Sequence, residues 1–418
     1  MNTSRRTLLK ATAGGMGIAL TGAGLDHSAQ ADTPIKIGFL TVKTGPLASG
    51  GIQMEQSLLL YLKERDYTLA GRKVELITKD TNGVPATSRT KTQELVEQDG
   101  VQVIIGPLAA FEALAIDDYT QSKKMPIMSV AAAEDITQRH PDPYFVRCTS
   151  SSAQCSHPMG DYAAKVLGYK RIAVIADDLA YGHEQLAGFT RVFEDNGGKV
   201  VQRLLPPLNA PDYGTYIAQI KNNVDAIYMA FAGSNGFRFT KAFFEYGLGG
   251  KIPLIGGMTA MDEAILNQTG DDALGIITAC YYSAQLDTPL NKSFVAAMQK
   301  EYKIDPGYYG AGTYISAAVL EAALKSVGGK IEDHDAFLKA LRNNVVQDTV
   351  RGPVKFDEFG QVVGNVYIRK VEKKNGKLVN TVIKTYENVS QFWTYGKDAF
   401  LAQPVYTRDY PVYKNLEG

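Results

Sequence analysis

Short runs of β-branched and aliphatic residues alternate along this chain with longer stretches whose apolar positions recur every three or four residues. Ile35-Lys36-Ile37-Gly38-Phe39-Leu40 predicts a strand, and Met54, Leu58, Tyr61 and Leu62 place a helix over 51–64. Strands follow over 73–78 and 101–105, helices over 85–97 and 111–123, and Ile127-Met128-Ser129 closes this series. The pattern then restarts. Strands over 171–175, 200–205, 226–230, 252–255 and 275–278 enclose helices over 182–196, 213–221 and 237–246. From residue 282 the chain turns helical again, over 291–302, 309–326 and 335–342. These helices read as a return to the first unit. Val354-Lys355-Phe356-Asp357-Glu358-Phe359-Gly360 and a strand over 363–371 predict one more crossing, and Asn375-Gly376 a hairpin turn.

Alternation of this kind means parallel sheets covered by helices. The fold expected is α/β, with two Rossmann-like lobes joined by a hinge of crossing strands. Residues 32–150 and 284–356 make the first lobe, and 151–283 and 357–385 the second. Residues 386–418 are too aromatic for a disordered tail and are expected to pack on the body. Ligands of open α/β sheets sit beyond the carboxyl ends of the strands, so two such sheets facing each other make one cleft from two half-sites.

The N-terminus changes the picture by naming a compartment. Ser4-Arg5-Arg6-Thr7-Leu8-Leu9-Lys10 reads as a twin-arginine export signal, followed by a modest apolar stretch and by Ala29-Gln30-Ala31, a site for cleavage before Asp32. No cysteine lies near that site, so no lipid anchor is written, and residues 1–31 are expected to be removed on the way to the periplasm. The 44 basic and 44 acidic side chains balance, which removes the electrostatic case for nucleic acid. Cys148, Cys155 and Cys280 are odd in number, and their spacing leaves open a bridge between the first two.

Chemistry is sparse. None of the five histidines stands in a metal or nucleophile spacing, and the strand ending Ile104-Ile105-Gly106-Pro107 leads into no phosphate loop. No enzyme, metal or cofactor is expected. Two strand-to-helix junctions carry more: Ile105-Gly106-Pro107-Leu108-Ala109-Ala110-Phe111, and Ser129-Val130-Ala131-Ala132-Ala133. Free backbone N–H groups there suit a carboxylate, though an ordinary loop packed with small residues fits the same letters.

In order along the chain, Ile35-Lys36-Ile37-Gly38 with Thr44-Gly45-Pro46, Val103-Ile104-Ile105-Gly106-Pro107, Met128-Ser129-Val130-Ala131-Ala132, Tyr181-Gly182 and the stretch Pro306 to Tyr309 resemble the type I periplasmic solute-binding proteins of the leucine/isoleucine/valine class. The resemblance implies two lobes, three hinge strands, closure over a ligand and docking of a monomer onto the membrane permease of an ABC transporter. The departures from that class are informative. Where amino-acid binders hold the ligand carboxylate with Ser and Thr, this chain has Ala110 and Ala133. Where they hold the ammonium with an acidic residue, it has Met258, followed by Thr259. A buried ammonium without a partner is costly.

The ligand expected is therefore a small aromatic carboxylate of benzoate, hydroxybenzoate or phenylpropenoate type. Backbone amides of Ala131, Ala132 and Ala133 would take its carboxylate. Phe111, Tyr181, Phe231, Tyr281 and Tyr282 would wall in the ring, and Ser234 and Asn235 would bond a ring hydroxyl. The aromatic tail resembles that of the subgroup linked with such acids. The alternatives are an aliphatic amino acid, with Asp262 or Glu263 as the acidic partner, a periplasmic sensor, and an exported enzyme.

Overall fold

The computed structural model describes residues 33–417; the expected leader lies outside them. The first sheet contains β1 (Ile35–Thr41), β2 (Thr68–Leu69), β3 (Arg72–Asp80), β4 (Val103–Ile105), β5 (Ile127–Met128) and β6 (Phe145–Val146). Their spatial order is β2-β3-β1-β4-β5-β6, parallel except for the hairpin strand β2. Helices α1 (Ala48–Lys63), α2 (Pro85–Gln93) and α3 (Ala110–Ser122) cover it.

The second sheet holds five parallel strands: β7 (Arg171–Ala176), β8 (Lys199–Leu204), β9 (Ala226–Ala230), β10 (Leu254–Gly256) and β11 (Ile277–Cys280). Three antiparallel strands complete it, β12 (Lys355–Phe356), β13 (Val362–Lys374) and β14 (Lys377–Val389), in the order β12-β13-β11-β10-β9-β7-β8 with β14 on β13. Its helices are α4 (Ser152–Lys165), α5 (Ala180–Asp195), α6 (Gly214–Ile217), α7 (Asn235–Glu245) and α8 (Glu263–Thr269). The returning helices α9 (Pro289–Tyr302), α10 (Tyr308–Ser326) and α11 (His334–Asn343) join the first lobe, α9 and α10 against α1.

The expected two-lobed architecture is thus present, with local corrections. The helix expected over 213–221 is one turn, the strand expected over 275–278 starts at Ile277, and β13 runs past the expected end to Lys374. β13 extends because β14 pairs along it, closed by Asn375 and Gly376, both at positive φ. The chain crosses between lobes after β6, after β11 and after α11. Two crossings are bonded to each other: Arg147 N–H donates to Gly360 O, Val362 N–H to Arg147 O, and Gln361 Nε2 to Thr149 O.

Aromatic side chains of the C-terminal run meet two helices of the second lobe. Phe392, Phe400 and Tyr406 are buried with Ala153 of α4 and Ala187 of α5, around the fully buried His157. A last short helix, α12 (Lys397–Leu401), lies here. Arg191 stacks on Tyr395 at 3.8 Å, and Arg139 of the first lobe donates to the carbonyls of Phe400, Gln403 and Pro404. All three cysteines are buried and unbridged.

Candidate functional site

Strand order decides where a cleft can open. In the first sheet β1 lies between β3 and β4, so the connections leaving β1 and β4 diverge to opposite faces; β7, between β8 and β9, does the same in the second. The residues that follow these four strands meet in one small cavity. Leu47 follows β1, and Leu108, Ala109, Ala110 and Phe111 follow β4. Leu179 and Tyr181 follow β7, and Ala232 follows β9. Val130 and Ala132, after β5, and Tyr308 and Tyr309, opening α10, complete the wall. The lobes are shut on each other: Ser234 N–H donates to Pro46 O at 3.1 Å, and Gln53 Nε2 of α1 to Asp262 Oδ1 at 3.0 Å.

No lining side chain is charged. The polar groups are backbone amides and three phenols. Glu112 turns back to accept from Ala109 N–H at 3.0 Å, fixing the first turn of α3. Among the described residues, the N–H groups of Ala110 and Phe111, first in that helix, and of Ala132 find no acceptor. Tyr308 Oη donates to Val130 O (3.0 Å) at the hinge, and Tyr181 Oη bonds Thr259 Oγ1 (2.6 Å), which itself donates to Phe231 O. The Tyr309 hydroxyl has no partner among the described residues, and its ring rests against Gly50, where any Cβ would collide with it. Burial raises the Tyr181 and Tyr309 phenols well above their ordinary value, so both remain neutral donors.

Of the side chains expected at the site, Ala110, Phe111, Ala132 and Tyr181 line the cavity, and Thr259 stands behind Tyr181. The others lie elsewhere. Ala131 N–H is taken by Ser129 Oγ, and Ala133 O accepts from Arg147. Phe231 packs edge-on to Tyr213 in the core of the second sheet, and Asn235 bonds Asp177 and Leu208 O. Ser234 seals the lobes through its amide. Met258 Sδ accepts from Ser150 Oγ at 2.9 Å; Tyr281 donates to Tyr308 O and Tyr282 to Asn291. Sequence reasoning missed Leu47, Val130, Leu179, Ala232, Tyr308 and Tyr309 as wall residues. For the two tyrosines the stretch from Pro306 stood out only through resemblance.

Both acidic candidates for an ammonium are engaged, as is Asp177 after β7. Asp262 accepts from Gln53, Ala264 N–H and Tyr308 N–H; Glu263 pairs with Arg369; both oxygens of Asp177 accept, from Ala232 N–H and Asn235.

Two α/β lobes shut around a small uncharged cavity at paired switch points define a solute-binding protein. Residues 34–377 match the family model "Periplasmic binding protein", and the chain belongs to that family, in its type I leucine/isoleucine/valine class. It is 28% identical over 363 residues to the Leu/Ile/Val-binding protein homolog 6 of Brucella abortus, covering 84% of this chain and 92% of that one. A solute binding protein of an ABC transporter from Rhodopseudomonas palustris BisB5, solved in complex with 3,4-dihydroxy benzoic acid, superimposes with a TM-score of 0.82 at 36% identity, covering 86% of this chain and 98% of that one. Another from strain HaA2, in complex with p-hydroxybenzoic acid, gives 0.80 at 29% identity, with 86% and 99% covered. The protein is thus a periplasmic binding protein of an ABC transporter, a binder of small molecules that works with a membrane permease. No helix among the described residues is long and apolar enough to cross a membrane.

Proposed function

We propose that the ligand is a small aromatic carboxylate, a hydroxybenzoate or close relative, and that the protein reaches the periplasm through its twin-arginine leader. The observation that carries the reading is the wall itself: amides without acceptors at the start of α3, apolar faces around them, and no carboxylate free to meet an ammonium. The amides of Ala110, Phe111 and Ala132 take the ligand carboxylate, helped by the positive end of the α3 dipole. Leu47, Leu108, Val130, Leu179 and Phe111 clasp the ring, and the unpaired Tyr309 hydroxyl meets a ring hydroxyl. The benzoate-type acids held by the two Rhodopseudomonas relatives support this choice over the amino acid suggested by the Brucella relative's name.

Thermal unfolding against benzoate, 4-hydroxybenzoate, 3,4-dihydroxybenzoate, leucine and succinate tests it. A true ligand at about a thousand times its Kd adds roughly 4 kcal/mol, a rise of several degrees in Tm. The aromatic acids should give that rise and leucine none; the reverse pattern overturns the proposal. Tyr309→Phe should weaken 4-hydroxybenzoate about tenfold, the worth of one good buried hydrogen bond, and leave benzoate unchanged by calorimetry. Equal losses for both acids would remove Tyr309 from hydroxyl recognition.

A further inference from the structure

Beside the cavity, and not lining it, three buried charged groups meet across the seam between the lobes. Glu134 follows the cavity residue Ala132 by two positions in the first lobe; Glu184 follows the cavity residue Tyr181 by three on α5 of the second. Glu134 N–H donates to Glu184 Oε1 at 3.3 Å. Glu134 Oε1 accepts from Ala153 N–H at 2.7 Å, and its other oxygen from Gln138 Nε2. Among the described residues the cation facing the pair is Arg147, fully buried, which donates to Ala133 O while its Nε and Nη1 find no partner; Glu184 Oε2 has none either. The remaining groups around them add no positive charge. They are the hydroxyls of Ser151 and Ser152 at the start of α4, Tyr406 from the tail, and Tyr308 and Asp357 on the Arg147 side; His183, the next residue on α5, is paired with Asp178.

Glu134 and Glu184, with Asp357 on the far side of Arg147, outnumber the one guanidinium and leave a net negative charge in a buried seam, where neighbouring carboxylates do not all stay ionised. Ala132 and Tyr181 line the cavity from different lobes, so an opening that parts their two walls would also lengthen the contact of Glu134 N–H with Glu184 and admit water. We propose that closure over the ligand takes up one proton, held by the Glu134–Glu184 pair, so that capture is linked to pH. This rests on closure of the two lobes and not on the ligand being aromatic. Burial and the neighbouring Glu134 push Glu184 up in the closed form, whereas a solvated carboxylate titrates near its ordinary value of about 4.3. A group raised on closing favours the closed form fully below its open-form value and loses that effect as pH rises through the closed-form value. Between the two values, Kd rises up to tenfold per pH unit.

Calorimetric titration of the whole protein with 4-hydroxybenzoate at pH 7, in phosphate, HEPES and Tris, reads the protons exchanged from the dependence of heat on buffer ionisation. Should that acid fail to bind and leucine bind instead, the same titration with leucine tests the proton while the ligand proposal falls alone. Wild type should take up a measurable fraction of a proton, with Kd rising from pH 6 to pH 8. Glu184→Gln, close to isosteric, should still bind, with uptake near zero and a flat pH profile; Glu134→Gln serves if that variant fails to fold. No buffer dependence in wild type overturns the proposal. So does uptake that persists in both variants, which would place the proton on the ligand or elsewhere.

Discussion

Gly233→Ala is expected to fold and to lose ligand capture, with Kd raised at least a hundredfold. Gly233 sits at φ +56° in the loop after β9, and a Cβ there would overlap the carbonyl oxygen of Pro46 on the opposite lobe. That carbonyl is also the acceptor of Ser234 N–H. Opening the lobes relieves the collision, so the substitution opposes the shut state and leaves only a local backbone cost of about 1–2 kcal/mol within the second lobe. A ligand shifts the equilibrium only through its extra contacts in the closed form, and a factor of a hundred in Kd corresponds to about 2.7 kcal/mol of those contacts being lost. Calorimetry gives the affinity, and small-angle scattering should show no contraction on adding ligand. An affinity within a few fold of wild type would mean that closure does not need the Gly233–Pro46 approach.

Arg369→Ala should produce the largest loss of stability, about 3–5 kcal/mol at pH 8, because it strips a buried carboxylate of its partner. Arg369 is fully buried on β13 and meets Glu263 Oε1 at 3.3 Å, while donating to Tyr282 O at 2.8 Å. Burial pushes Glu263 up to about 7 even with the guanidinium beside it, and without it the carboxyl is pushed higher. A carboxyl raised above its unfolded value near 4.3 withdraws stability as pH rises towards its folded value. The deficit should therefore be smaller at pH 6, where Glu263 already carries a proton, than at pH 8. Urea unfolding at both pH values, followed through Trp393, checks this; equal deficits would show that the ion pair is not the cause.

Much of the fold was readable from the alternation of strand and helix patterns, since parallel strands buried on both faces announce themselves as apolar runs. The helix α4 was not. Its Ser152-Ala153-Gln154-Cys155-Ser156-His157-Pro158 stretch shows no apolar stripe, because α5 on one side and the tail on another bury it almost all round. At the site, the junctions after β4 and β5 were legible because strand, turn and helix start are local. Tyr308 and Tyr309 were not placed there, since only the return of α10 brings them to loops more than a hundred residues earlier. Phe231 shows how parity misleads. It and Ala232 are adjacent beyond a strand end and point to opposite faces, so the small residue faces the cavity and the large one the core. Tyr281 and Tyr282 fail for a topological reason: β11 lies two strands from β9, away from the switch point.

The aromatic tail also bears on what counts as one unit of folding. The family match stops at residue 377, at the first residue of β14. A chain ended there would strip β13 of its partner strand, from Lys374 opposite Lys377 up to Gly364 opposite Val389. It would also uncover Ala153, Ala187 and His157, and release the three carbonyls that hold Arg139. The stretch matched by the family model therefore stops short of residues that complete the second sheet and cover α4 and α5. Exchange of the second lobe with a relative would have to carry β14 and the aromatic run after it to keep this strand paired and these helices covered.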